Sequence, residues 1–106
     1  MKFGLSEEVY KKIKNIAEKN TKYKFKIFGS RAKNTYKTTS DIDIAIFENV
    51  IEEDKYKIMN EFDLLDIVYK IDLVFINKNT KKEFLEEIER EGIDIKWSDL
   101  KKENKI

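Results

Sequence analysis

Two aspartates, Asp41 and Asp43, sit inside an isoleucine-rich run, "DIDIAIF", at 41–47. Side chains on a strand alternate between its two faces, so Asp41 and Asp43 share one face while Ile42, Ile44 and Ile46 take the other. Their Cα atoms are then about 6 to 7 Å apart. Unpaired carboxylates in a half-buried sheet are costly. Converging on one face, they can share divalent cations. A third carboxylate, Asp72, lies in "KIDLVFI" at 70–76, on the Val74 and Ile76 face. If the two strands are neighbours, the three carboxylates can meet on one face. The chain has no His and no Cys, which excludes a histidine base, a thiolate nucleophile, a disulfide and a Cys/His zinc site. Any metal is held by oxygen, which favours a hard cation such as Mg²⁺.

The second group is Gly29-Ser30, at the end of the apolar run "YKFKIF". A glycine at a strand end lets main-chain N–H groups approach an anion closely, and Ser30 adds a hydroxyl. Arg31 and Lys33 bring positive charge, as readily onto a solvated face as onto a phosphate. Ser40 reads either as a turn residue, the slightly favoured reading, or as a second phosphate contact. Taken alone, Gly29-Ser30 reads as an ordinary turn, and the D-x-D pair as readily capping or solvated strand-edge carboxylates as a functional pair. Together, a phosphate cradle beside metal-binding carboxylates is the equipment of phosphoryl or nucleotidyl transfer.

These residues need a scaffold. A helix is expected over 6–19, with Ser6 as N-cap, Glu7 and Glu8 in the first turn and Val9, Ile13, Ile16 and Ala17 as the apolar stripe. Alternation over 23–28 predicts a strand, 30–35 a short helix or turn, and 42–47 a second strand. Residues 52–62 have helical spacing, and 70–76 form a third strand whose composition implies burial on both faces. Thr80 and Glu83 match a capping box opening a helix that Gly92 stops, and 93–97 form a fourth strand. The fold class is α/β (α+β), a mixed sheet of about four strands flanked by helices.

The string "FGSRAKNTYKTTSDIDIAIF", with "YKIDLVFIN" and "FLEEIEREGIDI", resembles the minimal nucleotidyltransferases (MNT domains) of the DNA polymerase beta-type nucleotidyltransferase superfamily. The resemblance spans most of the chain and implies a polymerase beta-like fold. It implies that Gly29 and Ser30, with Arg31 and Ser40 nearby, contact the triphosphate of ATP. It implies that Asp41, Asp43 and Asp72 are the catalytic carboxylates and bind Mg²⁺, two ions in the family's scheme, with Asp72 able to help deprotonate an attacking hydroxyl. Two departures are visible. Asn34 stands where the family often has Gly, and Val68 where it often has Pro. Asn tolerates the left-handed conformation, so the turn should survive.

The chain has 106 residues with a net charge of +1 and a charged fraction of 41%. That is one domain's worth, expected to fill 1–106 with a frayed tail from about 99. No run is apolar enough to span a bilayer and no signal peptide opens the chain, so the cytoplasm is the expected location. Near-neutral charge disfavours nucleic acid as acceptor. Asp63, Asp66, Asp94 and Asp99 read as surface or cap residues, and Tyr10, Tyr23, Phe25, Phe62, Phe75, Phe84 and Trp97 as core. The reaction implied is attack of a hydroxyl on the α-phosphate of ATP. Few residues remain to hold an acceptor, so a partner protein is expected to bring it. In the resembled family that partner is a HEPN toxin, and the MNT protein is the antitoxin that adenylylates a toxin tyrosine. A non-catalytic antitoxin that masks its partner, and a transferase for a small molecule, are the alternatives.

Overall fold

The structure is a computed structural model, and it describes residues 3–47 and 49–95. Seven elements follow in the order α1 (Glu7–Lys19), β1 (Lys24–Phe28), β2 (Ile42–Phe47), α2 (Glu52–Asp63), β3 (Ile71–Phe75), α3 (Lys82–Glu91) and β4 (Ile93–Asp94). The four strands form one mixed sheet in the order β3-β2-β1-β4. β2 runs antiparallel to β1 and parallel to β3, and β4 is antiparallel to β1. This is the mixed sheet of four strands, flanked by helices, that the sequence pattern predicts.

Helix α1 starts where expected. The Ser6 hydroxyl accepts a hydrogen bond from the Val9 N–H (3.2 Å), and Glu7 and Glu8 follow at the positive end of the helix dipole. Helix α2 has no side-chain cap, but Glu52, Glu53 and Asp54 fill its first turn. The alternation of β2 divides the core in two. Ile42, Ile44 and Ile46 pack with α1 and with Ile58 and Phe62 of α2 on one face. Ala45 packs with Phe28, Ile76 and Ile88 of α3 on the other. Of the expected core aromatics, Tyr10, Phe25 and Phe62 are buried, while Tyr23, Phe75 and Phe84 are half-buried.

Four local expectations are corrected. Strand β3 is not buried on both faces: it is the edge of the sheet, and all five of its residues are half-buried. Its composition is apolar on both sides, but composition does not encode strand order. The Thr80–Glu83 capping box does not form. The Thr80 hydroxyl instead accepts from the Asn77 N–H (3.0 Å), inside a turn that Asn77 also braces through the Asn79 N–H (2.8 Å), and Lys81 becomes the uncapped N-cap. Gly92 ends α3 in an extended conformation (φ −72°), not the left-handed one, with its N–H on the Ile88 carbonyl (2.7 Å). Asp94 is a half-buried strand residue 3.8 Å from the Lys26 ammonium, not a surface residue. The expected fourth strand reaches residue 94, and Trp97, Asp99 and the expected tail from 99 lie outside the described residues. No helix among the described residues is long and apolar enough to cross a membrane.

Candidate active site

Because β2 is antiparallel to one neighbour and parallel to the other, its N-terminal end lies between the end of β1 and the start of β3. The register makes this specific: Asp43 pairs with Phe28 on one side and with Asp72 on the other. Directly opposed residues share a sheet face. Asp43 and Asp72 therefore stand on the α3 side, the Val74 and Ile76 face on which the sequence places Asp72. Asp41 lies just before β2 and is exposed.

Gly29 follows Phe28 with φ +74°, a conformation that L side chains rarely adopt. A Cβ built on it would sit 2.5 Å from Oδ2 of Asp43. The missing side chain is what lets the main chain pass against the carboxylate. The backbone then turns sharply. The Lys33 N–H donates to the Gly29 carbonyl (3.1 Å) and the Thr35 N–H to the Ser30 carbonyl (2.9 Å). Asn34 closes the turn at φ +62°, as its tolerance of the left-handed region implies.

The carboxylates feel one another. Burial pushes the Asp43 carboxyl above the ordinary range, and the charges of Asp72 and then Asp41 push it further. Asp72 also has Lys70 at 3.8 Å, both side chains being solvated. Among the described residues, no three acidic side chains lie close enough to ligate one ion as they stand. The donor set nevertheless fits a hard cation: oxygen-only, clustered enough to repel, and set against a main-chain cradle that a methyl group would fill. Asp41, Asp43 and Asp72 are the oxygen donors here that could hold a hard divalent cation.

Two expected nucleotide contacts have other partners. Arg31 is 2% exposed. Its Nη1 donates to the Phe3 carbonyl (2.8 Å), its Nε and Nη2 to the Ser40 carbonyl (3.2 and 2.8 Å), and its Nη2 also to the Thr38 carbonyl (3.4 Å). The guanidinium lies 5.1 Å from the Tyr36 ring centre and 4.8 Å from that of Tyr69. With its donors on carbonyls and its faces covered by rings, Arg31 is built into the interior, not presented to a phosphate. The Ser40 hydroxyl accepts from the Lys37 N–H (2.8 Å), and the Ser40 N–H returns to the Lys37 carbonyl (3.0 Å), so Ser40 is a turn residue. Lys33 reaches Glu91 at the end of α3 (3.8 Å).

Sequence reasoning missed Gly4, Tyr36 and Tyr69. Gly4, at φ +72°, leaves the space that Tyr36 occupies: a Cβ there would lie 2.2 Å from Cε2 of that ring. An otherwise unexplained glycine in "KFGLS" was the only signal.

A mixed sheet that sets a carboxylate pair at the start of one strand, beside a glycine turn and a third carboxylate on the parallel neighbour, has the polymerase beta-like nucleotidyltransferase arrangement. Residues 11–101 match the family model described as Polymerase beta, Nucleotidyltransferase, and the chain belongs to that family. Two solved structures share the fold. One is a crystal structure of a toxin-antitoxin with AMP-PNP, at a TM-score of 0.60 and 22% identity, covering 85% of this chain and 76% of that one. The other is a MntA-HpeT toxin-antitoxin mutant carrying two Asp-to-Glu replacements, at 0.60 and 20%, with the same coverage of 85% and 76%. No curated protein sequence matches the chain.

Proposed function

We propose that this chain transfers AMP from ATP to a tyrosine hydroxyl of a helical HEPN toxin, and so acts as the antitoxin of a toxin–antitoxin pair. The observation that carries the reading is the position of Asp43, between the Gly29 main chain just after β1 on one side and Asp72 of β3 on the other. Membership of the family supports the transferase. The toxin–antitoxin neighbours, one of them with AMP-PNP, support the role and the adenine nucleotide.

In this reading Gly29 and Ser30 hold the triphosphate, main chain and hydroxyl together. Asp41, Asp43 and Asp72 hold the divalent cations. Bound Mg²⁺ would supply Lewis-acid stabilisation of the charge on the phosphates and the departing pyrophosphate. The acceptor oxygen attacks the α-phosphorus, the bond to the β-phosphate oxygen breaks, and pyrophosphate leaves. Asp72, whose side chain is open to solvent, takes up the hydroxyl proton and passes it to water. Asp43, crowded by two like charges, positions and neutralises. The 106 residues are a single catalytic domain, acting in the cytoplasm where ATP and the partner are both present.

The test combines α-labelled ATP, Mg²⁺ and the protein encoded next to this chain, purified in folded form. Label should appear on that protein, and Asp41→Asn with Asp43→Asn should abolish it. If the folded partner stays unlabelled with wild type, the proposal fails. If the double variant still neutralises the partner's toxicity, inhibition is by contact and not by transfer.

A further inference from the structure

We infer that Arg31 is a positioning residue that fixes the distance between the phosphate turn and two of the site carboxylates, without touching nucleotide. The inference rests on reading Gly29, Ser30 and the three aspartates as the site.

Arg31 is the residue after Ser30, so its backbone belongs to the phosphate turn. Its side chain leaves that turn and reaches three other segments. The first is the Phe3–Gly4 turn, through the Phe3 carbonyl (2.8 Å). The second is the loop before β2, through the carbonyls of Thr38 and Ser40, and Ser40 is bonded directly to Asp41. The third is Tyr69, three residues before Asp72, whose ring covers one side of the guanidinium. The Ile42 N–H then donates to the Lys70 carbonyl (2.9 Å), which ties the start of β2 to the start of β3 beside the same cluster.

The chemistry of the group suits the task. A guanidinium has five donors in a fixed plane, and that plane stacks on aromatic faces. An ammonium has neither the plane nor the fork, so lysine cannot hold three carbonyls and two rings at once. A residue buried to 2% exposure in such a frame can act on the reaction only through what it holds. Small displacements of site groups carry large effects: about 1 Å can cost roughly 100-fold in rate.

The test compares wild type with Arg31→Lys, Arg31→Met and Tyr69→Leu, first as free protein by amide hydrogen exchange. Loss of the clamp should speed exchange in Thr38–Ile42 and in the start of β3 together, while α1 amides stay protected. Arg31→Lys should resemble Arg31→Met, and Tyr69→Leu should speed exchange at the start of β3 alone. The second measurement is affinity for AMP-PNP with Mg²⁺, expected to fall at least about tenfold in both Arg31 variants, in line with such misplacement. Unchanged exchange in Arg31→Met with lost affinity would mean a direct phosphate contact and overturn the inference. Wild-type exchange and affinity in Arg31→Lys would also overturn it, because charge alone would then suffice. If the Arg31 variants do not fold, Tyr69→Leu decides: unchanged exchange at the start of β3 sinks the clamp. If wild type binds no AMP-PNP, the site reading fails, and the exchange experiment still judges the clamp by itself.

Discussion

A methyl group placed on Gly29 would meet Oδ2 of Asp43 at 2.5 Å. The atom it meets is the far end of a side chain, so the clash can be relieved by turning the carboxylate away. Gly29→Ala should therefore cost only the strain of φ +74°, about 1 to 2 kcal/mol of unfolding free energy by urea denaturation. Its effect on AMP-PNP binding should be the larger, because the relieved clash displaces a site carboxylate. Equal losses in stability and binding energy would contradict this.

Asp43 is a destabilising charge in the metal-free protein. Its folded-state proton affinity is raised by burial, by Asp72 and by Asp41. A carboxyl raised on folding favours the folded state only when protonated. The cost is absent below the ordinary value of about 3.9, grows as pH rises from there to the raised folded value, and is complete above it. In EDTA at pH 7, Asp43→Asn should raise Tm by about 1 to 3 °C, a few tenths of a kcal/mol after solvent screening. The gain should vanish near pH 4. Melting curves of both proteins across that range check the sign, and a lower Tm for the variant at pH 7 would refute it.

Divalent cation with nucleotide should reverse the comparison. A ligand that binds only the folded state at about 100 times its Kd adds about 2.7 kcal/mol. Wild type should gain a Tm increase of that order from Mg²⁺ with AMP-PNP, and lose it on adding EDTA. Asp41→Asn with Asp43→Asn should show no cation-dependent shift.

Asn34 holds φ +62° in the turn after Ser30. Glycine there should be tolerated within a few tenths of a kcal/mol, whereas a β-branched residue should cost about 1 to 2 kcal/mol. Urea denaturation of Asn34→Gly and Asn34→Val measures both. A neutral valine would mean that the turn relaxes freely.

The parts legible in the sequence were those with local causes. Alternation marked β2 at 42–47, and Ser6 marked the start of α1. The left-handed Asn34 followed from the family resemblance, which often has Gly there, together with asparagine's tolerance of that conformation. What depends on order in space was not legible. The apolar run of β3 looks the same at a sheet centre as at an edge, and the structure puts it at the edge. Arg31 beside Ser30 reads as either a solvated charge or a phosphate contact, because its carbonyl and ring partners come from residues 3, 36, 38, 40 and 69, which no local pattern connects. Thr80 and Glu83 had the capping spacing, but the Asn77 turn claims the threonine hydroxyl first.

The position of β3 at the margin of the sheet divides the site by durability. Gly29, Asp41 and Asp43 belong to β1, β2 and their connection, and β1 and β2 are each paired on both sides. Asp72 belongs to a strand joined to the sheet along one side only. Edge strands fray before central ones. On warming, the molecule should lose the carboxylate assigned to the incoming hydroxyl while the triphosphate cradle is still intact, passing through a form that grips nucleotide and transfers nothing.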